Sequence, residues 1–183
     1  MKKQLMPAHS NQSANTYKEN HMGLDMYLSV RKNISRVKYW DYSNGPITSP
    51  EFEKAAEATG MSKWEEPESI YGLEVQAVAA YWRKQNAIHN WFVKNVQNNN
   101  DDCGEYFVRK ELLKELVSLC DQVIADPSKA AELLPTVGGF FFGREEYDEW
   151  YLEGINYTAK RLKELLSQAS DDSSVYFKYA SSW

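Results

Sequence analysis

The chain has 183 residues, of which 43% are hydrophobic and 14% aromatic, so it is long enough to fold as one domain around a buried core. Its 21 basic and 26 acidic residues give a net charge of −5, which argues against a nucleic-acid-binding protein because such proteins usually present a basic face. No apolar run approaches the length of a transmembrane helix and none follows the N-terminal lysines, so we expect a cytoplasmic protein without a membrane span or a signal peptide.

The N-terminal part of the chain combines a polar segment with a strand. Residues 1–21 are polar and lack periodicity, which predicts an extension. Residues 22–183 are expected to form a single α+β domain. Within it, apolar side chains alternate with polar ones from Leu24 to Val30, the pattern of a half-buried strand.

Two helices are predicted in the middle of the chain. Ser49-Pro50-Glu51 is typical of a helix N-terminus, and the helix that it opens should extend to about Thr59, before Gly60. Residues 61–71 are expected to form a loop. A long helix is then predicted over residues 73–97, ended by the polar run at 98–102.

The C-terminal half predicts two more main helices and two strands. A brief strand is expected at Tyr106–Val108 and an amphipathic helix at 110–125, followed by a short helix from Ser128 to Leu134. The last helix is predicted over residues 145–168, and the alternating segment 174–183 should pair beside the first strand. The sum is an α+β fold with three main helices packed on a small, mostly antiparallel sheet.

The segment YWRKQNAIHNWF at residues 81–92 has a high density of polar and aromatic side chains that could form a binding site. In a helical projection its core stripe comprises Val78, Tyr81, Ile88, Phe92 and Val96. A neighbouring face carries Trp82, Asn86 and His89, and Gln85 lies at the boundary. These side chains would line a polar pocket, with His89 as an acid or base near neutral pH. The alternative, more common for such residues, is that His89 makes a structural hydrogen bond.

Acidic and thiol groups follow this predicted helix. Asp101, Asp102 and Cys103 would offer, with His89, the ligand types of a mixed metal site, but the spacing matches no standard pattern. We therefore expect no metal and no cofactor. A Cys103 nucleophile paired with His89 is an equally weak hypothesis. The only other cysteine is Cys120, so no disulfide framework is expected and both thiols should be free.

The second dense segment is GGFFFGREEYDEWY at residues 138–151. Its glycines do not form a phosphate-binding loop, because no Lys-Ser or Lys-Thr pair follows. Arg144 near a helix N-terminus could hold an anion, although the acidic residues of the first turn would repel it and have an ordinary role in stabilising the helix dipole. The three phenylalanines are expected in the core. Gly154 should allow close approach of the 73–97 helix, and Tyr157 and Arg161 would border the same pocket as Trp150.

Four blocks of the sequence carry a resemblance to known proteins: MGLDMYL at 22–28, YWRKQNAIHNWF at 81–92, DDCGEY at 101–106 and PTVGGFFFGREEYDEWY at 135–151. The chain resembles a family of short phage, prophage and bacterial proteins that begin MGLDMYL. Members sometimes carry the label phosphoglycerate kinase, which does not fit because that kinase has two domains and more than twice this length. The resemblance implies a phage context and no defined chemistry. It marks Trp82, Arg83, Asn86, His89, Trp91, Asp102, Cys103, Thr136, Gly139, Phe142, Gly143, Tyr147, Asp148, Trp150 and Tyr151.

Three functions remain open. The first is a phage-type accessory protein that binds a host or phage macromolecule or a small ligand and counteracts a host defence. The second is a small enzyme acting on a phosphorylated or nucleotide-like ligand, with His89 as acid or base, an arginine holding the anion and Asp148 orienting. The third is a virion or assembly component. A homo-oligomer is an open alternative, and neither nucleic acid nor membrane is an expected partner. The ligand-binding candidates are Trp82, Arg83, Gln85, Asn86, His89, Phe142, Arg144, Tyr147, Asp148, Trp150 and Tyr151.

Overall fold

The computed structural model describes residues 23–63, 71–169 and 174–183. One antiparallel sheet has the strand order β4-β1-β6-β5, and β2 and β3 form a separate hairpin. The strands are β1 (Asp25–Ser35), β2 (Val37–Asp41), β3 (Gly45–Thr48), β4 (Gly72–Arg83), β5 (Glu105–Val108) and β6 (Val175–Ser182). The helices are α1 (Pro50–Thr59), α2 (Asn86–Asn95), α3 (Lys110–Ala125), α4 (Ala130–Leu133) and α5 (Glu149–Gln168). The predicted α+β fold is confirmed.

The core lies on one face of the four-stranded sheet. Met26 and Leu28 of β1 and Tyr179 of β6 are fully buried there, and they belong to the same apolar cluster as the inner faces of α2, α3 and α5. The opposite face carries exposed aromatic side chains, among them Tyr27 and Phe107. The alternation of β1 therefore reflects a sheet with one covered face.

Short sequence patterns predict several helices and strands correctly. Helix α1 begins at Pro50 and ends at Thr59, and the next residue, Gly60, has a φ of 75° in the left-handed region that favours glycine. Helix α3 has the predicted bounds, and β6 pairs with β1 as expected. Helix α5 begins at Glu149 instead of 145, because the Asp148 carboxylate accepts the Tyr151 N–H at 3.0 Å and caps the helix. The segment after α3 is a 3-10 turn followed by α4, shorter than the helix predicted to reach Leu134.

The long helix predicted over residues 73–97 is wrong. Residues 72–83 form β4, which pairs along its whole length with β1, and only α2 is helical. The alanines and glutamine of β4 favour a helix locally, but intrinsic propensity is a weak prior that sheet pairing overrides. Val78 and Tyr81 consequently lie exposed on the open face of the sheet, whereas Ile88 and Phe92 are buried as predicted.

The aromatic run after α4 is a loop whose three phenylalanines differ in burial. The core position predicted for Phe140 is wrong, since 91% of it is exposed. Phe141 and Phe142 are half-buried and contact the Trp183 ring at centroid distances of 6.4 and 6.0 Å. The Phe140 ring contacts the Phe141 ring edge-to-face at a centroid distance of 4.9 Å, and the turn is closed by the Phe142 N–H, which donates to the Gly139 carbonyl at 3.0 Å.

Two sequence-based expectations fall on undescribed residues. The N-terminal extension at 1–21 lies outside the described part, as does most of the loop predicted at 61–71. Within the described ranges, no helix has the length and apolar character needed to cross a membrane.

Candidate functional site

The connection between β4 and α2 holds the aromatic loop in place. Asn86, the first residue of α2, is buried and donates through Nδ2 to the carbonyls of Phe142 and Arg144 at 3.2 and 2.6 Å. Its Oδ1 accepts the Val137 N–H at 3.3 Å. The Asn86 side chain therefore holds both ends of the loop, at Val137 and at Phe142 to Arg144, against the end of the sheet. Its hydrogen bonds satisfy backbone groups of the loop that are at least partly buried.

A pocket of about 350 Å³ opens where this loop meets the β4–α2 connection. It is lined by Lys84, Gly143, Arg144 and Trp150, and its volume falls in the range of small-ligand pockets, roughly 300–1,000 Å³. Lys84 and Gly143 both have positive φ values, 56° and 89°. A Cβ atom at position 143 would lie only 3.0 Å from the Lys84 Cβ. Glycine therefore permits both the left-handed turn and the close approach that forms the pocket wall.

Among the described residues that line this pocket, the two charged side chains are both positive. Lys84 has no ion-pair partner in the part of the chain that the structure describes. The exposed Arg144 guanidinium lies 3.5 Å from Asp148, a surface pair of little strength. The acidic residues that follow, Glu145, Glu146 and Glu149, are exposed and do not line the pocket. Two basic residues and Trp150 thus line one pocket.

His89 lies in the interior with both ring nitrogens engaged. Only 1% of the residue is exposed, and its Nδ1 and Nε2 lie 2.8 Å from the Tyr179 hydroxyl and 2.9 Å from the Asp101 carboxylate. Burial, followed by the nearby Asp101 charge, raises the pKa of Tyr179 well above its ordinary value. The phenol therefore stays protonated at neutral pH and can donate to the imidazole. This geometry supports the structural interpretation of His89.

Trp82 faces a different part of the core from His89. In β4 its indole N–H donates to the Thr158 hydroxyl at 2.8 Å, and that hydroxyl donates to the Gly154 carbonyl at 2.7 Å. Because side chains alternate in a strand, Trp82 does not share a helical face with Asn86 and His89. The predicted pocket lined by all three is not formed.

Gly154 of α5 allows the close approach that the sequence predicts, but a different segment approaches it. The carboxamide of buried Gln85 lies directly over Gly154 and donates to the Trp150 carbonyl at 3.4 Å. A Cβ atom at position 154 would overlap this carboxamide. The neighbour is thus the β4–α2 connection and not a 73–97 helix.

Gly154→Ala is expected to lower the free energy of unfolding by about 1–3 kcal/mol, because the overlap outweighs the better helix propensity of alanine. In a Gln85→Ala background the same change should be neutral or stabilising by up to about 1 kcal/mol, because the obstructing carboxamide is gone. Urea unfolding of the four proteins of this double-mutant cycle measures both values. Equal effects of Gly154→Ala in the two backgrounds would contradict the packing argument.

Other predicted site residues are engaged elsewhere. Arg83 pairs with Asp25 at 3.1 Å on the open face of the sheet. Tyr151 donates its hydroxyl to the Leu134 carbonyl at 2.9 Å, and the Tyr147 hydroxyl accepts the Thr136 N–H at 3.3 Å. These two tyrosines hold the loop that ends at the pocket.

Tyr157 and Arg161 do not border the pocket as predicted. They contact the outer edge of β4, because residues 72–83 form a strand that α5 crosses. The structure brings together Arg144 and Trp150 from the predicted set. It adds Lys84, which the sequence interpretation missed by placing it inside a helix.

The segment 101–106 does not form a metal site with His89. Among the residues that the structure describes, no three His, Cys, Asp or Glu side chains cluster in a way that could hold a metal ion. Asp102 accepts the Gly104 N–H at 2.8 Å and the Tyr106 hydroxyl, and these bonds lower the pKa of its carboxyl. Both cysteines are free thiols. Burial raises the pKa of Cys120 to about 12, which makes it unreactive.

Comparison with protein-family models, with curated proteins and with solved structures finds no match to this chain. The support for a function therefore comes from the residues of the pocket at Lys84 and Arg144 and from the sequence resemblance.

Proposed function

We propose that the chain is a phage-type binding protein that holds a small anionic ligand with a planar ring in the pocket lined by Lys84, Gly143, Arg144 and Trp150. The observation that carries this proposal is the lining of the pocket, where Lys84, which has no ion-pair partner among the described residues, is joined by the exposed Arg144 and by Trp150. A lysine and an arginine at one opening suit a phosphate or carboxylate. An indole offers a flat apolar surface on which an aromatic ring stacks.

Binding is favoured over turnover because the described residues that line this pocket include no carboxylate, histidine or cysteine. His89, the residue proposed for that role in the enzyme alternative, is buried and bonded to Tyr179 and Asp101. A general base must come within hydrogen-bond reach of the proton that it takes. Sequestration of a nucleotide-like ligand in the host cytoplasm, counteracting a host defence, is the role that we propose, and the resemblance to phage and prophage proteins supports it.

Isothermal titration calorimetry of the full chain with AMP, adenosine and pyrophosphate tests this proposal. We expect AMP to bind, and Lys84→Gln and Arg144→Gln each to weaken AMP binding about tenfold or more, because each removes a charge-assisted hydrogen bond. Trp150→Leu should weaken AMP more than pyrophosphate, because only AMP carries a ring. Adenosine, which lacks the phosphate, should bind more weakly than AMP.

Lys114→Gln and Arg109→Gln serve as matched controls, because both residues are exposed and neither lines the pocket. They remove the same charges and should leave AMP affinity within about twofold. Absence of AMP and pyrophosphate binding below about 1 mM, or equal losses in pocket and control variants, would reject the proposed ligand class.

A further inference from the structure

The two edges of the four-stranded sheet differ in length. Edge strands present unpaired backbone groups, and proteins usually blunt them with short strands, lysine or proline, or a covering element. The β5 edge has only 4 residues. The β4 edge has 12, and no described strand pairs with its outer side.

Helix α5 covers only the C-terminal part of the β4 edge. Arg161 Nε donates to the Ala79 carbonyl at 2.6 Å, and the Tyr81 N–H donates to the Tyr157 hydroxyl at 3.4 Å. The β1–β4 register also shifts here, leaving Ala79 without a Cα partner. These two hydrogen bonds from α5 reach β4 at Ala79 and Tyr81. We call the preceding residues 72–78, GLEVQAV, the open edge; among them, Leu73 packs against α1.

The sequence of the open edge lacks the residues that usually protect an edge strand against pairing. It contains no lysine, arginine or proline. Its one charged residue, Glu74, is bound to Arg31 at 3.1 Å and to the Tyr176 hydroxyl. Val75 and Val78 lie on opposite faces of the sheet and are 49% and 63% exposed. Such a segment is a template for another strand.

We propose that the open edge of β4 pairs antiparallel with the open edge of a second copy of this chain. Pairing residues 74–78 of the two copies about a two-fold axis at Gln76 places Gln76 opposite its own copy and Glu74 opposite Val78 of the second copy. No like charges then face each other, and the two glutamine amides can hydrogen-bond. The result is a continuous sheet across two chains that covers exposed valine surface. This inference does not depend on the ligand pocket.

Sedimentation equilibrium of the full chain over roughly 1–100 µM tests the proposal, because micromolar affinity is the range of modest interfaces. We expect a monomer–dimer equilibrium. Gln76→Lys and Gln76→Glu should each raise the dimer dissociation constant about five- to tenfold by placing like charges opposite each other. An equimolar mixture of the two variants should restore dimerisation, because opposite charges then face each other.

Phe107→Lys is the matched control, since Phe107 is an exposed apolar residue of the other edge strand; it should leave the dimer unchanged. Hydrogen–deuterium exchange of the wild-type chain gives a second readout that needs no variant. Exchange at residues 72–78 should slow as concentration rises, whereas exchange at 105–108 should not change. A monomer at about 100 µM, a dimer insensitive to both Gln76 variants, or concentration-independent exchange at 72–78 would overturn the proposal.

Discussion

Replacing Asn86 by aspartate is expected to lower the free energy of unfolding by about 3–5 kcal/mol. The substitution keeps the shape of the side chain but removes the two N–H donors that bind the carbonyls of Phe142 and Arg144. A carboxylate oxygen would then face two carbonyl oxygens in a site where Asn86 is buried. Urea unfolding followed by circular dichroism measures the loss.

Asn156→Asp is the matched control for this prediction. Asn156 also donates its Nδ2 to a backbone carbonyl, that of Leu152 at 2.8 Å, but it is exposed on α5. Water can replace the lost donor there, so the change should stay within about 0.5 kcal/mol. If Asn86→Asp destabilised the chain no more than this control, Asn86 would not anchor the loop.

His89→Leu is expected to lower the free energy of unfolding by about 2–4 kcal/mol. Leucine fills similar space but leaves the fully buried Tyr179 hydroxyl and the Asp101 carboxylate without their imidazole partner. Asp101 retains the Trp183 indole N–H at 3.2 Å, so most of the cost should arise at Tyr179. Thermal and urea unfolding report the change.

The Tyr179→Phe substitution distinguishes the contribution of the His89–Tyr179 hydrogen bond from that of side-chain packing. In the Tyr179→Phe background, His89→Leu should cost about 1–2 kcal/mol less, because replacing both partners by apolar groups leaves no unpaired hydroxyl. The folded His89→Leu variant should also keep its AMP affinity within about twofold, because His89 does not line the pocket. Strictly additive costs, or loss of AMP binding by a folded His89→Leu protein, would reject a purely structural role.

The elements that the sequence predicts best are those with strong local signals. Pro50 and Gly60 mark the ends of α1, and the apolar stripe of α3 gives bounds that the structure reproduces. The strand β4 has no comparable signal, because Gly72–Arg83 contains residues that also suit a helix. Its conformation depends on pairing with β1, a contact between distant parts of the sequence that periodicity does not reveal.

The wrong helix prediction over residues 73–97 also explains why Lys84 was not expected to line the pocket. Arg144 and Trp150 stand in a segment that already suggested anion binding. The sequence places Lys84 inside the helix predicted over residues 73–97, where its backbone would be helical. In the structure it occupies the left-handed turn between β4 and α2, with φ of 56°. A non-glycine residue in that conformation is uncommon, and recognising it requires knowing where the strand ends.

The way Asn86 holds the aromatic loop has a practical consequence for finding the ligand. Gly143 and Arg144 form one wall of the pocket, and the Arg144 carbonyl is a direct partner of Asn86. A compound that needs this wall binds only the folded, docked loop, so its binding must raise the melting temperature. A thermal-shift screen of phosphorylated and carboxylated metabolites would therefore rank ligands without any assay of activity.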